Sequence, residues 1–306
     1  MSKEITLRAL DGSNPLAFLA ALGTLRLLHT KNPNGRVRLA WERSGGFWRP
    51  KLVGLNLDTD EDALCESLMT APSAPVEKFQ QIGKNLTVTR EKFAGFVGDA
   101  YVSATRHDRR AADFAAAFGC EVCDDKEKGR IEYTNFCFIT GSGHQDFLGT
   151  ISALAKSVTA AHLRDALFGD WRMEKGLSMR WDPSDASQYA LQWDDPGPKG
   201  AWAVRGANLL AAEALPYFPA IPVNRGLQTT GFKRRNRQDE LTWPIWTQLA
   251  TSDTVRSLIS LANLQEDTPD RATLQGMGID EVYRAQRVRI GQGANFKVSF
   301  RSARAV

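Results

Sequence analysis

Apolar residues recur along this chain with two spacings, every second residue in short runs and every third or fourth in longer ones, which predicts an α+β fold of mixed helices and short antiparallel strands. From residue 4 to 10, Ile5, Leu7 and Ala9 alternate with Thr6, Arg8 and Leu10, the pattern of a half-buried strand. Asp11-Gly12 turns the chain, Ser13 or Asn14 caps a helix with Pro15 in its first turn, and Leu16, Leu19, Ala20 and Gly23 share one face of it. Segments 37–41 and 47–53, separated by Ser44-Gly45-Gly46, read as a hairpin. The chain therefore opens as strand, helix, hairpin.

Helical spacing predicts further helices over 59–70, 89–103, 108–118, 145–155, 159–168, 204–215 and 253–261. A strand is expected over 131–139, and short alternating strands over 287–291 and 296–300. The charged stretch 119–130 reads as a surface loop or a seam. The turn-rich stretch 193–200 marks a boundary between an N-terminal α+β region, 1–192, and a basic C-terminal α+β region, 201–306, although a long hairpin tip has the same composition. A chain of 306 residues buries about three quarters of its unfolded surface, so it forms a core without covalent staples.

Charge changes the picture. The whole chain carries 39 Lys+Arg against 35 Asp+Glu, but residues 200–306 hold 14 against 9 and the remainder 25 against 26. The excess is concentrated in the C-terminal third. Within it, residues 225–237 carry five cations and no anion, among two glycines, an aromatic and several amides and hydroxyls, and read as a phosphate-facing loop. A second tract, Arg284, Arg287, Arg289, Lys297, Arg301 and Arg304, has no acid after Glu281. Two such segments predict one basic face for a polyanion, because nucleic acid gains entropy by releasing counterions to it. A solvated basic loop without a partner is the bland alternative.

Residue chemistry assigns roles within that face. Arg225, Lys233, Arg234, Arg235 and Arg237 suit phosphates, and so do Arg287, Arg289, Lys297 and Arg301. Gln228, Thr229, Thr230 and Asn236 suit base edges, and Phe232, between Gly231 and Lys233, suits a wedge or a stacking platform. Gly83-Lys84-Asn85 and Arg205-Gly-Ala-Asn208 each join a flexible backbone to a cation and an amide, adding Lys84, Asn85, Arg205 and Asn208 as weaker candidates. Trp243 and Trp246 are expected in the core.

Catalytic and metal signatures are poor. Cys120 and Cys123 have half the spacing of a zinc site, with Cys137 and His144 as conceivable further ligands, yet no second close pair completes a knuckle. Ser142, His144 and Asp146 lie two apart on one short segment, where a nucleophile, base and orienter do not converge. Neither a P-loop nor a dinucleotide fingerprint is present. The expectation is a non-enzymatic protein with no cofactor and no bound metal; a hydrolase or nuclease centred on His144 and Asp146 is the rival, and a protein adaptor with a basic docking face a third reading. The apolar run 16–28 falls short of the roughly 20 residues of a membrane span and contains Arg26, so no membrane association is expected. Four cysteines without an export signal predict reduced thiols in the cytoplasm.

Several segments resemble a known family. Leu7-Arg-Ala-Leu-Asp-Gly-Ser-Asn-Pro-Leu-Ala-Phe-Leu-Ala-Ala-Leu-Gly-Thr-Leu-Arg26, Gly141-Ser-Gly-His-Gln-Asp-Phe-Leu-Gly149, Met179-Arg-Trp-Asp-Pro183, Val204-Arg-Gly-Ala-Asn208, Leu227-Gln-Thr-Thr-Gly-Phe232 and Thr242-Trp-Pro-Ile-Trp246 look like proteins encoded with subtype I-G (formerly I-U) CRISPR systems. The resemblance extends over most of the chain. It implies a large-subunit-like component, or an extension of the helicase-nuclease. In related type I complexes such a subunit sits at the foot of the backbone formed by other subunits on the guide RNA (crRNA). There it engages the flanking motif of double-stranded target DNA, steadies the opened strands and helps recruit the helicase-nuclease. Base pairing reads the long sequence in such systems, and protein side chains read a few base pairs and hold phosphates.

Overall fold

Asn14 starts the first helix as expected, its side-chain oxygen accepting from the backbone N–H groups of Leu16 at 2.8 Å and Ala17 at 3.3 Å, with Pro15 at the position where a missing N–H costs nothing. The computed structural model describes residues 2–105, 108–125, 129–138, 146–184, 201–224, 226–292 and 295–306. Strand β1 (Ser2–Thr6) precedes helix α1 (Pro15–Lys31), and the hairpin β2 (Arg38–Ser44) and β3 (Phe47–Leu55) closes a three-stranded antiparallel sheet in the order β1-β3-β2. Helix α1 is buried on every side from Pro15 to Leu28, not along one face, because it runs through the centre of the molecule.

The helices α2 (Glu61–Met69), α3 (Val76–Phe79), α4 (Arg90–Ser103) and α5 (Arg110–Phe118) follow, α2, α4 and α5 close to the expected segments and the single turn of α3 not expected. Residues 119–125 depart from expectation. They form a strand, β4 (Gly119–Asp125), paired with a short β5 (Arg130–Tyr133) that ends well before residue 139. Glu121, Asp124 and Arg130 thus lie on a two-stranded ribbon and not in a loop. Helices α6 (Phe147–Ser157) and α7 (Ala160–Phe168) come next, then β6 (Glu174–Gly176), which pairs with β7 (Ala201–Ala203), and helix α8 (Arg205–Glu213). The boundary proposed at 193–200 lies outside the described residues.

Two glycines let helices meet backbone to backbone. A Cβ on Gly23 of α1 would stand 1.7 Å from the carbonyl oxygen of Leu210 in α8, and one on Gly206 would stand 2.2 Å from that of His162 in α7. At the first crossing the Arg26 guanidinium donates to the Glu213 carboxylate at 2.8 Å, both side chains buried, and Glu213 also accepts from the Ala74 backbone N–H. Burial holds the Glu213 pKa above its ordinary value, and Arg26 opposes that shift.

The C-terminal part is built from antiparallel strands. Hairpin β8 (Ala220–Val223) and β9 (Gly226–Thr229) leads into β10 (Phe232–Arg235), β11 (Gln238–Trp246), β12 (Ile279–Gln292) and β13 (Asn295–Phe300), ordered β10-β11-β12-β13, with β14 (Arg304–Ala305) on β12 beside β13. Helices α9 (Ser252–Ile259) and α10 (Arg271–Gly276) lie between β11 and β12. Trp243 and Trp246 carry this sheet onto α1 and β2: Phe18 stacks on Trp41 with centroids 5.7 Å apart, Trp243 donates to the Gly12 carbonyl at 2.8 Å, and Trp246 to that of Leu39 at 2.9 Å. One hydrophobic core thus runs from Leu7 to Phe300, which draws on both sides of 193–200. No helix of the described residues is long and apolar enough to cross a membrane.

Candidate nucleic-acid interface

The basic stretch is not an open loop over its described residues 226–237. Residues 226–229 form β9, paired with β8, and alternation in Phe232-Lys-Arg-Arg235, with Asn236-Arg237 as a two-residue turn and Gln238 opposite Arg235, makes the rest the exposed hairpin of β10 and β11. The second basic tract occupies β12, β13 and β14 in the same sheet. Pairing of β11 with β12 stops at Glu240 and Gln286, and β12 continues from Arg287 to Gln292 paired only with β13. Those six residues extend about 20 Å past the last rung. The 236–237 turn leaves the sheet at that same end, so two segments separated by about fifty residues of sequence meet there as neighbours.

The pleat divides the cations between two faces, because residues directly opposite in an antiparallel pair share a face. Arg234, Arg287 and Arg289 lie on the side that holds Phe232, Leu241 and Trp243, whereas Lys233, Arg235, Arg284 and Arg304 lie on the other. On that second side the inner cations have structural work. Arg284, 3 % exposed, donates to the carbonyl of Glu266 at 2.8 Å, to those of Leu264 and Asp267 at 3.3 Å, and to the Thr242 hydroxyl at 3.1 Å. Arg235 donates to the Gln265 carbonyl and to Asp267 at 3.1 Å. Buried Glu240 lies 3.7 Å from Arg235 and Arg304 and 4.0 Å from Arg284. Desolvation, and then the nearby Arg235, push the Arg284 pKa down. Together these side chains latch segment 262–267 over the sheet.

Other candidates are likewise taken up by the fold. Phe232 is 2 % exposed and lies edge-on to Phe136 with centroids 4.9 Å apart, so it is a core residue instead of a wedge. Thr229 is fully buried, its hydroxyl accepting from the Asn135 backbone N–H at 2.9 Å, and the Thr230 hydroxyl donates to the Pro219 carbonyl at 2.9 Å; neither presents itself to a base edge. Asn208, 1 % exposed, accepts from the Met179 N–H and donates to the Val204 carbonyl, tying two segments together. The Asn85 side chain accepts from the Phe147 N–H at 2.6 Å and donates to Asp146 at 3.1 Å, and the Lys84 carbonyl accepts from Leu148 and Gly149, so this segment caps α6. The Lys84 ammonium itself is exposed, 3.8 Å from Asp146.

Arg205 pairs with Glu174 at 3.1 Å and lines a cleft of about 440 Å³ with His162, Arg164 and Arg172. Three carboxylates, Asp165, Asp170 and Glu174, balance the three arginines there. Arg287 donates to Asp239 at 3.3 Å and stands over the Phe138 ring, half-buried. Arg289 stands 3.7 Å over the Phe296 ring, exposed, and Lys297 is half-buried.

What remains is a smaller exposed set. Lys233 reaches the Gln265 carbonyl and lies 3.7 Å from Asp267, and Gln228 and Asn236 are exposed. Among the described residues, Arg234, Arg237 and Arg301 are exposed and make no ion pair. Arg225, Ser142 and His144 lie outside the described residues. Cys120 and Cys123 are reduced, the Cys123 thiol pushed up by burial, and no group of three metal-ligating side chains occurs among the described residues. Comparison with family models, with curated proteins and with solved structures finds no match for this chain.

Proposed function

We propose that this chain is a non-catalytic nucleic-acid-binding subunit of an RNA-guided type I CRISPR complex. It engages target DNA beside the flanking motif, steadies the opened strands and helps recruit the helicase-nuclease. The observation that carries the reading is the convergence of the two basic tracts at one end of one sheet, where Arg234, Arg237 and Arg301 are exposed and make no ion pair among the described residues. Unpaired surface cations at one end of a sheet repel one another, and a phosphate backbone relieves that repulsion while releasing its counterions. The family resemblance supplies the guided-complex context, and the surface supplies the chemistry.

The reading is tested by assembling the guide RNA and its backbone-forming subunits with and without this chain and measuring capture of double-stranded target DNA. Capture that needs this chain, and that weakens with salt, supports it. Equal capture without the chain contradicts it.

A further inference from the structure

Arg237 occupies a backbone position that suits it badly. The two-residue turn between Arg235 and Gln238 places Asn236 at φ 47° and Arg237 at φ 65°, the left-handed pair of a type I′ hairpin turn. Asn tolerates the first position, but the second favours glycine, because a Cβ there crowds the following carbonyl. At Trp171, by contrast, a left-handed side chain at φ 56° is compensated by a contact, its indole donating to the Ala166 carbonyl at 2.8 Å. Arg237 has no ion pair or hydrogen bond among the described residues and lies exposed at the hairpin tip, with Arg234 also unpaired three residues before it. The fold gains nothing from this side chain and would be better served by glycine.

We infer that Arg237 is the leading phosphate contact of the basic surface, carried on a turn whose conformational strain the free protein tolerates. The ligand class is the phosphodiester backbone of duplex DNA: a two-residue turn on a two-stranded ribbon is narrow enough to follow a groove. A guanidinium at its tip donates to a phosphate oxygen in a charge-assisted pair. This inference rests on the nucleic-acid reading and sharpens it to one residue.

Arg36 provides the control. It too is exposed, left-handed at φ 49° and without an ion pair among the described residues, but it lies at the end of the 33–35 turn, ahead of β2 in the N-terminal sheet. The full-length chain is measured as wild type, R237G and R36G, by thermal unfolding and by titration of a labelled 30-base-pair duplex over a range of salt. Both variants are expected to unfold about 2 °C higher. Only R237G is expected to bind more weakly, by about tenfold at low salt, with a salt slope shallower by about 0.9.

An R237G protein that binds like wild type overturns the inference and leaves the nucleic-acid reading standing. Equal weakening by R36G also overturns it, by showing a bulk charge effect. Destabilisation by R237G removes the strain argument. A wild-type chain that does not retard the duplex at any salt removes the broader reading, and this inference with it.

Discussion

Arg284 and Arg237 sit in the same sheet and carry the same charge, yet their surroundings are opposite. Arg284 is buried and spends its donors on three backbone carbonyls and a hydroxyl, near Glu240. Arg237 is exposed at a turn and donates to nothing among the described residues. The first holds a loop in place; the second is available to a ligand. A count of cations cannot separate them, because what distinguishes them is which strand face and which end of the sheet each occupies.

The contrast is broken most severely from its buried side. Replacing Glu213 by Ala leaves Arg26 buried without its counterion and the Ala74 N–H without its acceptor, and should lower stability by about 3–5 kcal/mol. Denaturant unfolding of E213A, with an unchanged slope and an earlier midpoint, checks this. Arg284→Ala should cost a similar amount by orphaning the carbonyls of Leu264, Glu266 and Asp267, and a near-neutral result would mean that segment 262–267 is held by other contacts.

Phe232→Ala comes next, at about 3 kcal/mol, because it empties a site between Phe136 and Phe300. If Phe232 acted as a wedge instead, the variant would keep its melting temperature and lose DNA capture. From the exposed side, R234A, R237A and R301A should each leave stability within about 0.5 kcal/mol, measurable in the same denaturant titration.

A small effect is also expected of a pair that is partnered yet exposed. Arg110 donates through its side chain to Asp108, holding that carboxyl at about 2 against an ordinary 3.8. The depressed value makes the interaction stabilising above pH 3.8 and loses it as pH falls through about 2. Solvent screening keeps it below about 1 kcal/mol. Asp108→Asn should therefore narrow the stability gap between pH 5 and pH 2 by that amount, and an unchanged gap would show the pair to be inert.

Much of this was legible in the residues. Asn14 and Pro15 start α1 as their chemistry requires, the Ser44-Gly45-Gly46 turn joins β2 to β3, and Trp243 and Trp246 lie in the core. The burial of α1 on every side was not legible, because its second face is covered by α8, almost 190 residues away. The strand at 119–125 was concealed by surface charge on a two-stranded ribbon. In the basic region the error came from treating 225–237 as one loop. The alternation of Phe232 and Arg234 against Lys233 and Arg235, closed by Asn236, is a hairpin signal, and reading it places Phe232 inward at once. What no local pattern shows is that Arg235 meets Asp267, a partner set by the packing of segment 262–267, whereas Arg234, Arg237 and Arg301 make no ion pair among the described residues.

The central claim is that the unpaired arginines at one end of the C-terminal sheet hold a polyanion. Its most direct test is the salt dependence of duplex binding by the wild-type chain and by R234A/R237A/R301A, both shown to be folded. The log-log slope should become shallower by about 0.9 for each phosphate contact removed, approaching 2.7 if all three engage. A triple variant whose affinity and slope both match the wild type would contradict the claim.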